Sequence, residues 1–402
     1  VRTVYLTYDG LDDPLGQSQV LPHLLGLARR GHRFHVISFE KRPTRVRVAE
    51  EIVPGVVWTA LRYHKQPALP ATLFDITQGF AAATVLRALR RAELIHVRST
   101  IPGAMALPLV RATKARLLFD TRSLWADEKV DAGAWPKGGA LYRTVKHVER
   151  VLYRSSTAII VLTHAFQRYL RTQYPHRDEI HCAIHVVPTC TDLDAFGPQV
   201  EPDAEVARQV AGASVLAYVG SFGTWYMARE MAELYLAWRK LFRSARFLAV
   251  SRQEPTAVRE VLAAAGAASE LVHVSADHER VPALLRCARA ALCFVRDGFS
   301  KQASSPTKLG EALACGLPVA ANVVGDMATV LHATPAGVVV SEYDAGALAV
   351  AAAKLKTATE RPAIAAEARA LAERWFPLDH ALDAYDRVYR GLDTGDTVWP
   401  RE

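Results

Sequence analysis

Compact apolar runs alternate along the chain with segments of helical period. Val4–Tyr8, Phe34–Phe39, Val56–Leu61, Leu94–Val97, Leu117–Phe119, Ala158–Leu162 and His185–Val187 read as strands in the first half. Val215–Val219, Phe247–Val250, Leu271–Val274, Ala290–Val295 and Val319–Asn322 read as strands in the second. Strands that alternate with helices in this way are the pattern of parallel α/β sheets. After the first strand, Val20, Leu24, Leu27 and Ala28 recur at helical spacing and Gly31 closes the helix. Strand, loop, helix, strand is one βαβ unit. Pro22 predicts that this helix starts late or is kinked. Lys65–Phe74 carries Pro67 and Pro70 and reads as a loop or mobile segment. Trp135–Arg154 interleaves Lys137, Arg143, Lys146, Arg150 and Arg154 with Leu141, Val145, Val148 and Leu152, a basic amphipathic helix. Near the end, Leu378, Leu382, Tyr385, Tyr389 and Leu392 recur at helical spacing.

The 402-residue length suits two domains of about 200 residues each. With 50% apolar and 22% charged residues, the composition is that of a soluble globular protein. No uninterrupted apolar run reaches the roughly 18–20 residues of a membrane-spanning helix. The opening Val-Arg-Thr-Val-Tyr-Leu-Thr-Tyr-Asp reads as a first strand rather than a signal peptide. A cytoplasmic location follows as the expectation. The five cysteines include no Cys-x-x-Cys pair and read as free thiols. No His/Cys set has zinc-ligand spacing, so no metal site is expected. The net charge of +8 favours anionic partners. The bases are dispersed and no nucleic-acid motif accompanies them, which ranks nucleic acid last. Peripheral contact with an anionic membrane, through the basic face of Trp135–Arg154, is compatible with the charge, although such faces are more often merely solvated.

The stretch Ala303–Asn322 is punctuated as a capped helix followed by a buried strand. Ser305 is the expected N-cap and Pro306 the first helical residue. Gly316 supplies the C-terminal left-handed position, and Pro318 blocks further helix. Thr307, Lys308 and Glu311 share one face; Leu309, Ala312 and Leu313 share the other. Helix amides, one cation and one carboxylate suit a diphosphate attached to a sugar diol.

Two further polar clusters lie just past apolar strands. They are Arg98-Ser99-Thr100 and Asp120-Thr121-Arg122. The carboxyl ends of strands are where parallel α/β sheets bind ligands. Arg98, Asp120 and Arg122 are therefore catalytic candidates, and Asp127 and Glu128 are candidates for an acceptor hydroxyl.

The run Ser305-Pro306-Thr307-Lys308-Leu309-Gly310-Glu311-Ala312-Leu313-Ala314-Cys315-Gly316-Leu317-Pro318-Val319 resembles the nucleotide-sugar motif of family 4 glycosyltransferases. Pro188-Thr189-Cys190-Thr191-Asp192-Leu193-Asp194-Ala195-Phe196 resembles the family's Pro-Asn-Gly-Val-Asp-x-x-x-Phe signature, which closes its first domain. The loop Asp9–Ser18 resembles the family's first phosphate-approaching loop, with Gly16 at the helix start.

The resemblance implies the GT-B fold, α/β with two Rossmann-like domains facing across a cleft. The acceptor-side domain would span 1–197 and the nucleotide-sugar domain 204–376, with Pro198–Asp203 as linker and a final helix within 377–402 crossing back onto the first domain. It also implies retention of anomeric configuration, no metal and no cofactor, with a UDP- or GDP-type sugar as co-substrate. Glu311 would hold the ribose. Thr307, Lys308, Ser305, Ser221, Gly220 and Gly16 would hold the phosphates, and Asp120 would lie near the reacting sugar.

Two departures from the family pattern stand out. Ala303 occupies the place of a second Glu that touches the donor sugar. The loop Gly220–Met227 lacks the usual Arg and Lys, and Arg252 and Lys301 are the expected substitutes. The acceptor would be a glycan, a lipid-linked sugar or a small molecule, in bacterial cell-surface glycan or glycosylated-metabolite synthesis. The rival readings are a nucleotide-sugar 2-epimerase or phosphorylase on the same fold, a non-catalytic sugar or lipid-carrier binding protein, and, less favoured for want of a glycine fingerprint, a dinucleotide oxidoreductase.

Overall fold

The computed structural model describes residues 1–41, 50–113, 115–392 and 395–396. The chain folds into two compact units, Val1–Pro188 with the chain from Leu378 onward, and Thr189–Pro377. The first unit holds an eight-stranded sheet of order β3-β4-β2-β1-β5-β6-β7-β8. Its strands are β1 (Arg2–Thr7), β2 (Arg33–Glu40), β3 (Glu50–Val53), β4 (Val56–Arg62), β5 (Leu94–Arg98), β6 (Arg116–Asp120), β7 (Ala158–Val161) and β8 (Ala183–Val186). All pair in parallel except β3, an antiparallel edge strand that no apolar run announced.

Six helices of this unit matter below. They are α1 (Pro14–Gln19), α2 (Leu21–Arg29), α3 (Ala68–Arg90), α4 (Thr100–Thr113), α5 (Trp125–Asp131) and α6 (Ala140–Ser155). The expected irregularity near Pro22 is a break at Val20 between α1 and α2. Lys65–Phe74, expected as a loop, instead leads into α3. Pro67 is its N-cap and Pro70 lies in its first turn, where a proline removes no intrahelical bond. Within α3, Ala68–Arg87 is long and apolar enough to cross a membrane. The sequence showed no such run because Thr72, Asp75, Thr77, Gln78 and Thr84 interrupt it.

The C-terminal helix Leu378–Arg390 belongs to the first unit and packs on α2. Residues 393–394 and 397–402 of the expected terminal segment lie outside the described residues. Gly26 lets this helix close on α2, since a Cβ there would stand 2.4 Å from Leu382 Cδ1.

The second unit holds a parallel six-stranded sheet of order β11-β10-β9-β12-β13-β14. Its strands are β9 (Ser214–Val219), β10 (Ala245–Val250), β11 (Leu271–Val274), β12 (Ala290–Cys293), β13 (Val319–Asn322) and β14 (Gly337–Val340). Successive residues of β10 face opposite sides, Leu248 into one core and Phe247 into the other. Both faces are buried.

The passage between units falls at Pro188–Thr189, not at 197. Phe196 is buried in the second unit's core, which draws the whole signature Thr189–Phe196 into it. The expected linker Pro198–Asp203 is likewise built into that unit. Asp203 caps the helix Ala204–Gln209 through Val206 N and pairs with Arg280 at 2.7 Å.

Candidate functional site

In the second unit, β9 and β12 are neighbours, but the connections from them run to opposite sides of the sheet. Their carboxyl ends therefore flank a topological switch point, the usual ligand crevice of an open α/β sheet. After β9 the chain turns at Gly220 with φ +129°. A Cβ on Gly220 would meet Lys308 Nζ at 2.5 Å. Lys308 lies in the first turn of the helix Thr307–Ala314. Its ammonium donates to the Tyr218 hydroxyl at 2.9 Å and sits 3.6 Å over the Tyr226 ring and 4.4 Å over that of Tyr218. Burial pulls its pKa down to about 8. Among the described residues no carboxylate lies within ion-pair distance of it, so the charge rests on aromatic faces and one phenol.

One turn further on, Glu311 is 5% exposed. Its Oε1 accepts from His278 Nε2 at 2.8 Å. That hydrogen bond raises the His278 pKa above its ordinary value against the opposing effect of burial. Phe196 packs on the imidazole, ring centroids 5.3 Å apart. A paired carboxylate on a buried helix face is thus held one turn from a partly desolvated ammonium.

The sequence-predicted partners divide around this pair. Gly220 and Lys308 meet directly. Lys301 lies in the turn Phe299–Ala303, its ammonium 3.7 Å over the Trp225 ring. The residues just before that turn are stapled to the loop Gly220–Met227, because Arg296 N donates to Trp225 O at 2.8 Å and Tyr226 bridges Val295. Ser221 is exposed, and its carbonyl accepts from Tyr218 at 2.6 Å.

Two expectations are corrected here. Ser305 is not the N-cap: Pro306 holds that position without a side-chain bond, and the helix begins at Thr307. Ser305 is drawn instead to Thr189, whose Oγ1 donates to its carbonyl at 2.8 Å. Arg252 is not a spare cation, because it is ion-paired with Asp277. The far end of the helix is as expected: Gly316 has φ +80°, Gly316 N donates to Leu313 O, and Leu317 N donates to Ala312 O.

In the first unit, the carboxyl ends of β5 and β6 carry a buried charge cluster. Gln19 Oε1 accepts from both Arg98 and Arg122, each at 3.1 Å. Arg98 also lies 3.7 Å from Asp9, and Arg122 lies 3.6 Å from Asp120. Ser99 and Arg122 both adopt positive φ, +82° and +54°. Non-glycine residues in that region cluster at functional sites.

Asp120, expected beside the reacting sugar, is 2% exposed and covered by the C-terminal helix, whose Tyr385 hydroxyl donates to it at 3.0 Å. Burial pushes its pKa up, but Arg122, His96 and Arg98 outweigh this and hold the carboxyl well below the usual range. Burial lowers the pKa of His96 and pulls that of His23 down to about 3, so both are neutral near pH 7. Asp120 therefore anchors Arg122 and Tyr385 inside the domain, with Arg98 near enough to add to the field that holds it charged.

One of the two acceptor candidates, Asp127, is also reassigned. Asp127 is buried between α5 and α6, accepting from Tyr142 and Lys146, each at 2.9 Å. Glu128 is half-buried in the first turn of α5. Gly16 packs against the preceding loop, since a Cβ on it would stand 2.0 Å from Gly10 O. Glu40 holds that loop by accepting from Leu11 N at 2.8 Å and Asp12 N at 3.3 Å.

Residues 17–189 match the family described as glycosyl transferase 4-like domain, and residues 213–357 match glycosyl transferases group 1. The chain belongs to the family 4 glycosyltransferases. A curated member, D-inositol 3-phosphate glycosyltransferase of Xylanimonas cellulosilytica, is 34% identical over 218 residues. That match spans 51% of this chain and about half, 51%, of the relative's length. The fold is GT-B. Sucrose-phosphate synthase from Thermosynechococcus elongatus superposes with a TM-score of 0.73 over 97% of this chain and 98% of its own, at 19% identity. An Anabaena protein solved with UDP and glucose superposes with a TM-score of 0.66 over 96% and 99%, at 14% identity.

For this family 4 member, sequence reasoning missed His278, Tyr218, Tyr226, Gln19, Glu40 and Tyr385. Glu40 and His278 lie at or just beyond the carboxyl ends of strands, the one signal that could have marked them. The tyrosines read only as apolar positions.

Proposed function

We propose that the protein transfers a sugar from a nucleoside diphosphate donor to an acceptor hydroxyl, with the donor held in the second unit. The observation that carries this reading is the pairing at the switch point: a partly desolvated Lys308 beneath the side-chain-free Gly220, one helical turn from the buried Glu311. A diphosphate brings the opposite charge to an ammonium that has no carboxylate partner among the described residues, and the peptide at Gly220 allows it close approach. Glu311 would accept from the ribose hydroxyls, with His278 fixing its rotamer. Leaving-group stabilisation by Lys308 and the first turn of its helix would supply the main catalytic contribution. In the first unit Arg98 and Arg122 remain the catalytic candidates, with Asp120 as a residue that positions Arg122. Retention and metal independence belong to the same proposal, as does a uridine or guanosine donor. UDP in the Anabaena structure favours uridine.

Isothermal titration with UDP and GDP tests this reading. Glu311→Ala should weaken nucleotide binding at least tenfold, about 1.4 kcal/mol, with the fold intact. Unchanged affinity in that variant would remove the nucleotide from this site. Chromatography of products with and without acceptor separates transfer from epimerisation and phosphorolysis.

A further inference from the structure

The helix α3 inverts the usual amphipathic rule. A surface helix normally turns polar residues to water. Here Leu69, Leu73, Phe74 and Val85 are each 51–55% exposed, and Phe80 is 36% exposed. At 100° per residue these positions fall, with Pro70, Thr77, Ala81 and Thr84, on one arc of roughly 160° that carries no charge from Leu69 to Val85, and Arg87 stands at its edge in line with Leu69. Only 22% of Ala68–Arg87 is buried in the domain. The inner side is well anchored: α3 packs on β1, β2 and α4, and its single acid, Asp75, is buried and bound to His64 at 2.6 Å and Tyr8 at 2.7 Å. A helix so tied lies along a surface rather than through it.

Its neighbours extend the surface. α4 packs on α3 and on α6. On these three helices the acids are Asp75 and Glu149, both buried. Arg111, Arg143, His147 and Arg154 are exposed on α4 and α6, and Lys65 and Arg91 bracket α3. The surface thus combines exposed leucine, phenylalanine and valine with positive charge, and no carboxylate is exposed on the three helices.

We propose that the outer face of α3, α4 and α6 docks the protein peripherally on an anionic lipid bilayer. The apolar stripe of α3 enters the acyl boundary, and the surrounding bases meet the headgroups. Apolar burial and headgroup attraction together are what an interfacial helix requires. A second copy of the same face would bring like charges together. A nucleic acid would leave the apolar stripe without a counterpart.

The test is co-sedimentation of the full chain, without donor or acceptor, with vesicles of equal parts phosphatidylglycerol and phosphatidylcholine, or of phosphatidylcholine alone. The wild type should partition onto the anionic vesicles and not onto the neutral ones. Leu73→Glu/Val85→Glu should lower the partition coefficient at least tenfold, and Arg143→Glu/Arg154→Glu should lower it comparably, with circular dichroism unchanged. Hydrogen exchange on the wild type, which needs no variant, should slow on α3 when anionic vesicles are added. Binding indifferent to Leu73 and Val85, or exchange unchanged on α3, would overturn the proposal. So would a wild type that ignores vesicles and self-associates through this face.

Discussion

Gly220 leaves the space in which the Lys308 ammonium sits: a methyl group on Gly220 would lie 2.5 Å from that ammonium. The Lys308 ammonium can rest against the loop after β9 because Gly220 has no side chain, and its φ of +129° independently favours glycine. Gly220→Ala should therefore displace the ammonium and strain the turn. Nucleotide affinity by titration calorimetry is expected to fall at least tenfold, with unfolding stability lowered by about 1–2 kcal/mol. Wild-type affinity in this variant would show that the close approach has no part in binding.

Lys308 gives a pH dependence of defined sign. Its folded pKa of about 8 lies below the ordinary lysine value, so its charge is unfavourable to folding at neutral pH. That cost diminishes as pH rises through about 8 toward the unfolded value. A bound diphosphate needs the charged form. Donor affinity should thus fall as pH rises above 8, while the Lys308 contribution to stability rises. In Lys308→Met both trends should vanish, as read by calorimetry and thermal melting across pH 7 to 9.5. A persisting fall in affinity would place the titrating group elsewhere.

His278 holds Glu311 by a 2.8 Å bond. Removing it leaves a buried carboxylate without that donor, which costs about 1–3 kcal/mol. The raised His278 pKa adds stability that is complete below the unfolded value near 6.5 and is lost as pH rises through the folded value. His278→Ala should abolish that alkaline loss and weaken nucleotide binding several-fold, whereas His278→Gln, which keeps a donor, should recover part of the affinity. Equal affinity in both variants and the wild type would exclude His278 from the site.

Asp120 balances Arg98 and Arg122 inside the first unit. In Asp120→Asn the carboxylate disappears and the buried guanidinium groups remain, at a cost of about 3 kcal/mol in urea unfolding near pH 7. The depressed pKa of Asp120 means that its contribution is present above the unfolded value and lost only as pH falls below the ordinary carboxylate range. Wild type and variant should therefore converge in stability toward acid. Nucleotide affinity should stay unchanged, because the donor is assigned to the second unit. A stability equal to wild type at pH 7 would remove Asp120 from the charge cluster.

The amino-acid order alone determined the two parallel sheets, most strand positions, the helix that follows Pro306 and the family. Each of these rests on local information: apolar runs, proline and glycine punctuation, and a contiguous motif. Tertiary structure decided the rest, because it depends on what distant segments bring together. Phe196 joins the second core and moves the domain passage to Pro188. Tyr385 covers Asp120 and turns a catalytic candidate into an internal anchor. His278 reaches Glu311 from another loop. Asp75, the one acid of α3, is hydrogen-bonded from within by His64 and Tyr8, and only the folded domain shows that the apolar face of that helix is turned outward.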